Sequence, residues 1–412
     1  MKTKSTAKKI IFIATLNFAV AAAGALAQSP LDDVPELNAR SAVLMDAATG
    51  LILFEKDADT LVSPASLTKL MTMHVAEKKA AEEGIPFDEP VRLPSQSWAV
   101  NQPPRSSLMF LAQGHIVSLH ELFLGMSIPS GNDAAVAVAL NFSPTIEAFA
   151  KLMNREAEAM GLKNTFFVEP SGISDENITT ARDFAVFCRE YLRLYPQNLK
   201  KYHSVTQFSY PKTSNLRLSQ QNRVNTIVHG NHNNLLYSFA GVDGIKTGYI
   251  DEAGYNIALT AERDGTRFIA VVLGVPTTLG SRRGIRARDA DGEALLTWGF
   301  KHFKTIRPEI ALIPPARLWK GKENSIPLDT LGERVFTALT GRGDGIRYEF
   351  NIEDLVAPLP AGFSAGTITF YDVTGKLLEM ELVTTMDAEA GNFFKRLWDS
   401  ILLFFKNPLR LT

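Results

Sequence analysis

A single cysteine in 412 residues, Cys188, leaves this chain unable to form an intrachain disulfide. It lies among Phe184, Ala185, Val186 and Phe187, which reads as a small buried core position. The chain also lacks low-complexity tracts and internal repeats, which excludes fibrous and solenoid classes. Histidine is scarce, and His74, His115, His120, His203, His229 and His302 show no metal-ligand spacing, so neither a metal nor a cofactor is expected. An excess of either charge is missing too, with 43 Lys and Arg against 44 Asp and Glu. What remains is an ordinary globular composition, long enough for two or three domains and at least one sizeable core.

The two ends differ from the rest. Lys2, Lys4, Lys8 and Lys9 precede an apolar run over 10–23 and the small-x-small triplet Ala25-Leu26-Ala27, the pattern of a cleaved export signal over 1–27. An uncleaved anchor is the alternative, weakened by the short run. Removing these four lysines and no acid takes the formal charge from -1 to -5, which argues against a nucleic-acid partner. At the other end, Phe393, Phe394, Leu397, Trp398, Ile401, Leu402 and Phe405 recur at three- and four-residue spacing, with Pro408 as a stop. About fifteen helical residues cover roughly 22 Å, short of a bilayer core. The 390–412 segment therefore reads as an amphipathic helix lying in a membrane interface, the alternative being a terminal helix packed on its own domain.

Between the ends, 40–55 reads as two strands around Ala48-Thr49-Gly50, followed by a helix carrying Ser66. Helices are expected over 119–126, 133–140, 144–160, 181–194 and 290–298. Two β-prone runs, 255–262 and 266–273, meet at Arg263-Asp264-Gly265, a hairpin signature. Helices mixed with an antiparallel hairpin predict an α+β domain over 28–306. Short runs at 335–339, 347–352, 367–371 and 378–383 between Gly, Pro and Asp turns predict a small all-β domain over 307–389.

Three short motifs stand in order: Ser66-x-x-Lys69, Ser130-Gly131-Asn132 and Lys246-Thr247-Gly248. A serine hydroxyl needs a base, and a lysine one helical turn away serves if burial or a nearby cation lowers its pKa. Each motif alone is weak; Ser5 and Lys8 repeat the first spacing within the export signal, and Ser130 and Asn132 read equally as helix caps. Their order and context, helix start, interhelical break and strand, match the Ser–Lys set of penicillin-binding proteins and class A β-lactamases. Glu169, in the turn-like Glu169-Pro170-Ser171-Gly172, receives no role.

Together with PASLTKLMT, SSLMFL, SGNDA, GLKNT, VDGIKTG, AGYN and LLTWGF, the chain resembles the low-molecular-mass penicillin-binding proteins, specifically the D-alanyl-D-alanine carboxypeptidases of the penicillin-binding protein 5 and 6 type. The resemblance spans nearly the whole chain beyond the signal. It implies a β-lactamase/transpeptidase-like domain, an antiparallel sheet with helices on both sides, followed by the β-sandwich-like domain and the amphipathic helix. It implies Ser66 as nucleophile, Lys69 as base and Ser130 as proton relay. Asn132, Lys246, Thr247, Gly248, Tyr249, His232 and Arg288 would bind substrate, with an oxyanion hole from the backbone N–H groups of Ser66 and Tyr249. In two places the chain departs from its relatives. His232 stands in Asn231-His232-Asn233 where Asn-Arg-Asn is common, with Arg288 as a compensating cation, and Tyr249 replaces a frequent histidine.

The expected activity is removal of the terminal D-alanine from peptidoglycan pentapeptides, with β-lactams as inhibitors. The expected place is the periplasm, on the outer face of the inner membrane. A β-lactamase and a weakly catalytic penicillin-binding scaffold are the rival readings.

Overall fold

The computed structural model describes residues 33–406; the export signal and Pro408 lie outside them. The described chain divides into two compact units, one of Asp33–Glu309 with Arg334–Arg342, the other of 310–333 with 343–406.

The first unit is built on a five-stranded antiparallel sheet in the order β2-β1-β7-β6-β5, with β1 Ser41–Asp46, β2 Ile52–Lys56, β5 Val242–Ile250, β6 Gly254–Arg263 and β7 Thr266–Val275. Between β2 and β5 the chain adds a two-stranded ribbon, β3 Gln207–Tyr210 and β4 Ile227–Gly230. The central strands are buried along most of their length because helices cover them, so the apolar runs of β6 and β7 do not alternate with polar residues. β1 closes against β7 with Val43 opposite Val271, a pairing between distant segments.

The helices are α1 Thr68–Glu83, α2 Leu119–Ser127, α3 Asn132–Phe142, α4 Ile146–Ala159, α5 Ala181–Leu194 and α6 Ser281–His302. The α2 start carries a reciprocal Ser118–Glu121 capping box, and Thr145 and Thr180 cap α4 and α5. Cys188 is fully buried on α5, in the core shared by α1 to α5 and the sheet. Helix α6 begins nine residues before the expected 290 because its first half has no apolar period. It lies flat on the sheet instead, where a Cβ at Gly284 or Gly292 would overlap the Tyr255 ring or Leu259 Cδ1.

The 335–339 run, read with the β-domain, joins the first unit: Phe336–Leu339 pairs with Phe303–Ile306. Asp46 supplies the reason. Fully buried, it accepts from Ala48 N, Thr49 N, Thr305 Oγ1 and Thr337 Oγ1 at 2.8 to 3.2 Å, binding the β1–β2 turn to both added strands.

The second unit is all-β apart from its last helix. One antiparallel sheet runs Leu328–Thr330, Gly375–Thr384, Ser364–Asp372, Arg347–Ile352; a smaller one holds Ser325–Ile326, Ala316–Trp319 and Leu355–Val356. Leu318, Ile326, Leu355, Ile368, Phe370 and Leu382 form their shared core.

Helix α7, Phe393–Lys406, starts where Asn392 Oδ1 accepts from Lys395 N at 2.9 Å. It packs on its own unit through its polar side. Asp399, 2% exposed, accepts from Lys320 N at 2.6 Å, Lys395 Nζ donates to Asn324 at 2.7 Å, and Lys406 pairs with Asp354. Phe394, Trp398 and Phe405 on the other side remain 79%, 62% and 75% exposed. Among the described residues no helix is long and apolar enough to cross a membrane.

Replacing Asp46 with alanine removes the shared acceptor of two part-buried backbone N–H groups and two threonine hydroxyls, so Asp46→Ala should destabilise the first unit by about 2 kcal/mol. A thermal unfolding scan would show the first transition moving down; an unchanged scan would contradict the hub role.

Candidate active site

Ser66 sits in the 3-10 turn Ala65–Leu67 that runs directly into α1. Ala65 takes φ +49, a left-handed conformation uncommon without glycine, so Ser66 is held on a sharp elbow. Two backbones press against that elbow. A Cβ on Gly248 of β5 would come 2.8 Å from Pro64 O, and one on Gly172 would overlap Ala65 O at 1.8 Å, so neither position accepts a side chain without movement. From below, Asn256 of β6 donates to Ser63 O at 2.9 Å and accepts from Gly274 N at 2.8 Å, tying the approach to the sheet.

Lys69, one turn on and 0% exposed, is the centre of the site. Its Nζ lies 2.9 Å from Ser66 Oγ, 2.8 Å from Asn132 Oδ1 and 2.5 Å from Ser171 O. Burial pulls its pKa down to about 7, against the carboxylates of Glu169 and Asp133, which raise it. Near neutral pH a large fraction of Lys69 is therefore the free amine, able to accept the Ser66 proton across the 2.9 Å contact.

Asn132 opens α3, and Ser130 and Gly131 form the break before it. Gly131 holds the N-cap position and makes no side-chain cap bond, so neither Ser130 nor Asn132 serves as a cap. Asn132 spends its side-chain oxygen on Lys69 instead. Ser130 is 3% exposed at φ +60 and makes no hydrogen bond to Ser66 or Lys69 among the described residues. Asp133 anchors this corner, accepting from Met109 N, Leu111 N and Ala134 N at 2.9 Å, while Asn132 N donates to Ser107 O at 2.8 Å. Burial raises the Asp133 pKa, opposed by these backbone donors. The SSLMFL segment is thus one wall of the site, held by a buried carboxylate.

The third wall is β5. Lys246 and Thr247 are 2% and 6% exposed, and Lys246 Nζ donates to Thr247 O at 3.0 Å. Burial, then Lys69, then Arg288 push the Lys246 pKa well below its ordinary value. Two buried lysines share one site, so each ammonium opposes the other, and an anionic ligand there would relieve both. Tyr249 stacks on Tyr255 with ring centroids 4.5 Å apart, and its hydroxyl donates to Asp251.

His232 and Arg288 lie at the far edge. Lost solvation first, then Lys246, Arg288, His229 and Lys69, push the His232 pKa to about 4. The residue itself is exposed, which weakens the solvation effect and leaves the cations as the better reason. Either way the ring is neutral at neutral pH. Arg288 is 4% exposed, pairs with Asp289 at 2.6 Å and reaches the His232 carbonyl at 3.4 Å, so its charge is already partnered. The structure therefore joins Ser66, Lys69 and Asn132 by direct bonds and brings β5 against the Ser66 turn. The 169–177 loop is the part that motif reading left unassigned. Among the described residues no cluster of histidine, cysteine, aspartate or glutamate could hold a metal.

The family described as D-alanyl-D-alanine carboxypeptidase matches residues 27–277. The chain is 34% identical over 382 residues to the D-alanyl-D-alanine carboxypeptidase DacC of Escherichia coli (strain K12), covering 90% of each chain. It is 34% identical over 380 residues to DacA of Haemophilus influenzae, covering 90% of this chain and 91% of that one. Among solved structures it resembles penicillin binding protein 5 from Haemophilus influenzae, with a TM-score of 0.74, 31% identity, and 86% and 99% of the two chains covered. It also resembles penicillin binding protein 6B from Escherichia coli, with a TM-score of 0.67, 30% identity, and 85% and 96% covered.

An acylation that needs neutral Lys69 should speed up as pH rises through about 7, where the buried amine loses its proton. Penicillin acylation rates measured across pH check this. Lys69→Arg keeps a cation that does not deprotonate, so acylation should fall by at least about a hundred-fold at every pH; a flat wild-type profile, or an active arginine variant, would count against Lys69 as base.

Proposed function

This chain belongs to the D-alanyl-D-alanine carboxypeptidase family, and from that membership we propose a residue-level mechanism and a cellular setting for it. The enzyme is a serine-type D,D-carboxypeptidase of the penicillin-binding protein 5 and 6 type, acting on peptidoglycan-derived peptides and binding β-lactams. The single observation that carries the mechanism is the buried Lys69 Nζ, 2.9 Å from Ser66 Oγ.

Neutral Lys69 takes the Ser66 proton as Oγ attacks the carbonyl carbon between the two terminal D-alanines. The oxyanion that forms is met by the backbone N–H groups of Ser66 and Tyr249. Ser130 passes a proton to the departing amine, the C–N bond breaks, and free D-alanine leaves an ester on Ser66. Water then cleaves the ester, returning the proton to the site. Asn132 holds the peptide amide, while Lys246 and Thr247 receive the terminal carboxylate, supplying the anion that the paired lysines lack. Gly248 lets the substrate backbone lie close along β5. His232, neutral, leaves carboxylate recognition to Lys246, with Arg288 supporting the turn that carries it. A β-lactam enters the same way, but its broken amide stays tethered to the acyl group and obstructs water.

The setting is the periplasm. Residues 1–27 direct export, and α7 holds the protein on the outer face of the inner membrane. Its docked polar side and outward aromatic stripe suit a lipid interface, and the exposed Arg396 near its start suits anionic headgroups. The domain boundaries that go with this reading are a catalytic domain to 306 that also takes in 334–342, a β-domain over the rest of the chain to 389, and the anchoring helix beyond.

D-Alanine release from a diacyl-Lys-D-Ala-D-Ala peptide should vanish in Ser66→Ala, together with fluorescent-penicillin labelling. Rapid penicillin turnover without D-alanine release would instead indicate a β-lactamase. In a vesicle sedimentation assay with anionic lipid, residues 28–412 should pellet and residues 28–390 should stay in the supernatant; equal behaviour would remove α7 from the anchoring role.

A further inference from the structure

The 169–177 loop makes more contact with the nucleophile helix than any catalytic motif requires. Thr72 Oγ1 donates to Pro170 O at 2.6 Å, Lys69 Nζ to Ser171 O at 2.5 Å, and Asn177 Nδ2 to Thr68 Oγ1 at 3.3 Å, so three side chains on the first turns of α1 are stitched to it. Gly172 lies so close to the Ala65 carbonyl and Ser66 N that a Cβ there would come within 1.8 and 2.9 Å of them. One segment thus fixes both the base and the elbow of the nucleophile.

What fixes that segment is Glu169. Its Oε2 accepts from Ser171 N and Ser171 Oγ, both at 2.6 Å. Its Oε1 accepts from Gly172 N at 2.6 Å, Asn177 Nδ2 at 2.8 Å and, more weakly, Ser174 N at 3.4 Å. Five donors converge on two oxygens, the pattern of a carboxylate used to fold backbone around itself. Asn177 completes the knot by accepting from Val168 N at 2.7 Å. With both oxygens engaged in its own loop, Glu169 has no free lone pair directed at an acyl-enzyme, so water activation is not its task.

We propose that Glu169 is a positioning residue for acylation, acting through the Ser171 carbonyl on Lys69 and through Gly172 on the Ser66 turn. This rests on the reading of Lys69 as the base. The loop sets two things at once. It places the Lys69 amine within reach of Ser66 Oγ, and it brings a negative charge near that amine. Around Lys69 the charged groups are Glu169 from this loop, Asp133 from α3, Lys246 from β5 and His232 from the turn before it. Glu169 and Asp133 favour the protonated lysine, so removing the charge of Glu169 lowers the Lys69 pKa and makes the free amine available at lower pH. Geometry and charge therefore act in opposite directions on the rate, and the two effects separate cleanly.

The test compares full-length wild type, Glu169→Gln and Glu169→Asp, following penicillin acylation rate across pH and thermal unfolding. In Glu169→Gln an amide NH2 replaces one acceptor facing backbone donors. The plateau rate should fall by at least about ten-fold as the amine is misplaced, while the acidic limb shifts to lower pH. In Glu169→Asp the charge remains but the reach is shorter, so the plateau falls and the limb stays nearer its wild-type position. A folded Glu169→Gln with wild-type plateau and limb overturns the proposal, as does a loss of rate with no movement of the limb. If Glu169→Gln does not fold, a wild-type plateau in Glu169→Asp overturns it. If the wild type shows no acidic limb near pH 7, the base assignment fails instead, and the plateau comparison alone still decides whether Glu169 positions the site.

Discussion

The structure depends on keeping one lysine out of water. Lys69 is fully enclosed and gives its three hydrogen-bonding directions to groups from three separate segments, Ser66 Oγ, Asn132 Oδ1 and Ser171 O. A buried ammonium without partners would cost several kcal/mol, so the interior tolerates this amine only when all three walls are assembled. The elbow, the α2–α3 corner and the 169–177 loop are therefore bound by a common requirement. The same enclosure makes the amine basic enough to receive a proton yet acidic enough to be free of one near neutrality.

The supporting parts show how that enclosure is maintained. Asp133 gathers backbone N–H groups from the neighbouring 106–111 segment, Glu169 gathers those of its own loop, and Asn256 pins the chain just before Ser66 to the sheet. Among the described residues none of the three hydrogen-bonds Ser66. They convert flexible connections into walls with defined backbone, which is what a reaction sensitive to fractions of an ångström demands.

Much of this was legible in the sequence, for physical reasons that differ by element. Ser66 and Lys69 are one helical turn apart, so their meeting is local and spacing alone reveals it. Helix α5 was readable to the residue because Thr180 caps it and its apolar residues keep the helical period. The first half of α6 was hidden because glycines, not a hydrophobic stripe, face the sheet, and close approach leaves no periodic signal. The pairing of β1 with β7 and the capture of Phe336–Leu339 by the first unit are long-range, and no local pattern encodes them. Glu169 reads as a turn residue and is one; its turn is wrapped against Lys69 and Thr72, which only tertiary contacts disclose. His232 and Arg288 are visible as residue types, but adjacency in the chain does not reveal that the Arg288 guanidinium turns onto Asp289.

Helix α7 is folded and oriented by its own unit alone, with Asp399 and two lysines clamped to the β-unit. Many interfacial tails are coils that must become helical on arrival, and the ordering entropy subtracts from their adhesion. Here that loss was incurred when the β-unit folded. Under the proposed anchoring, the aromatic stripe would meet lipid as a finished stamp rather than a wet thread, and the strength of its grip would be tied to the integrity of the β-unit behind it.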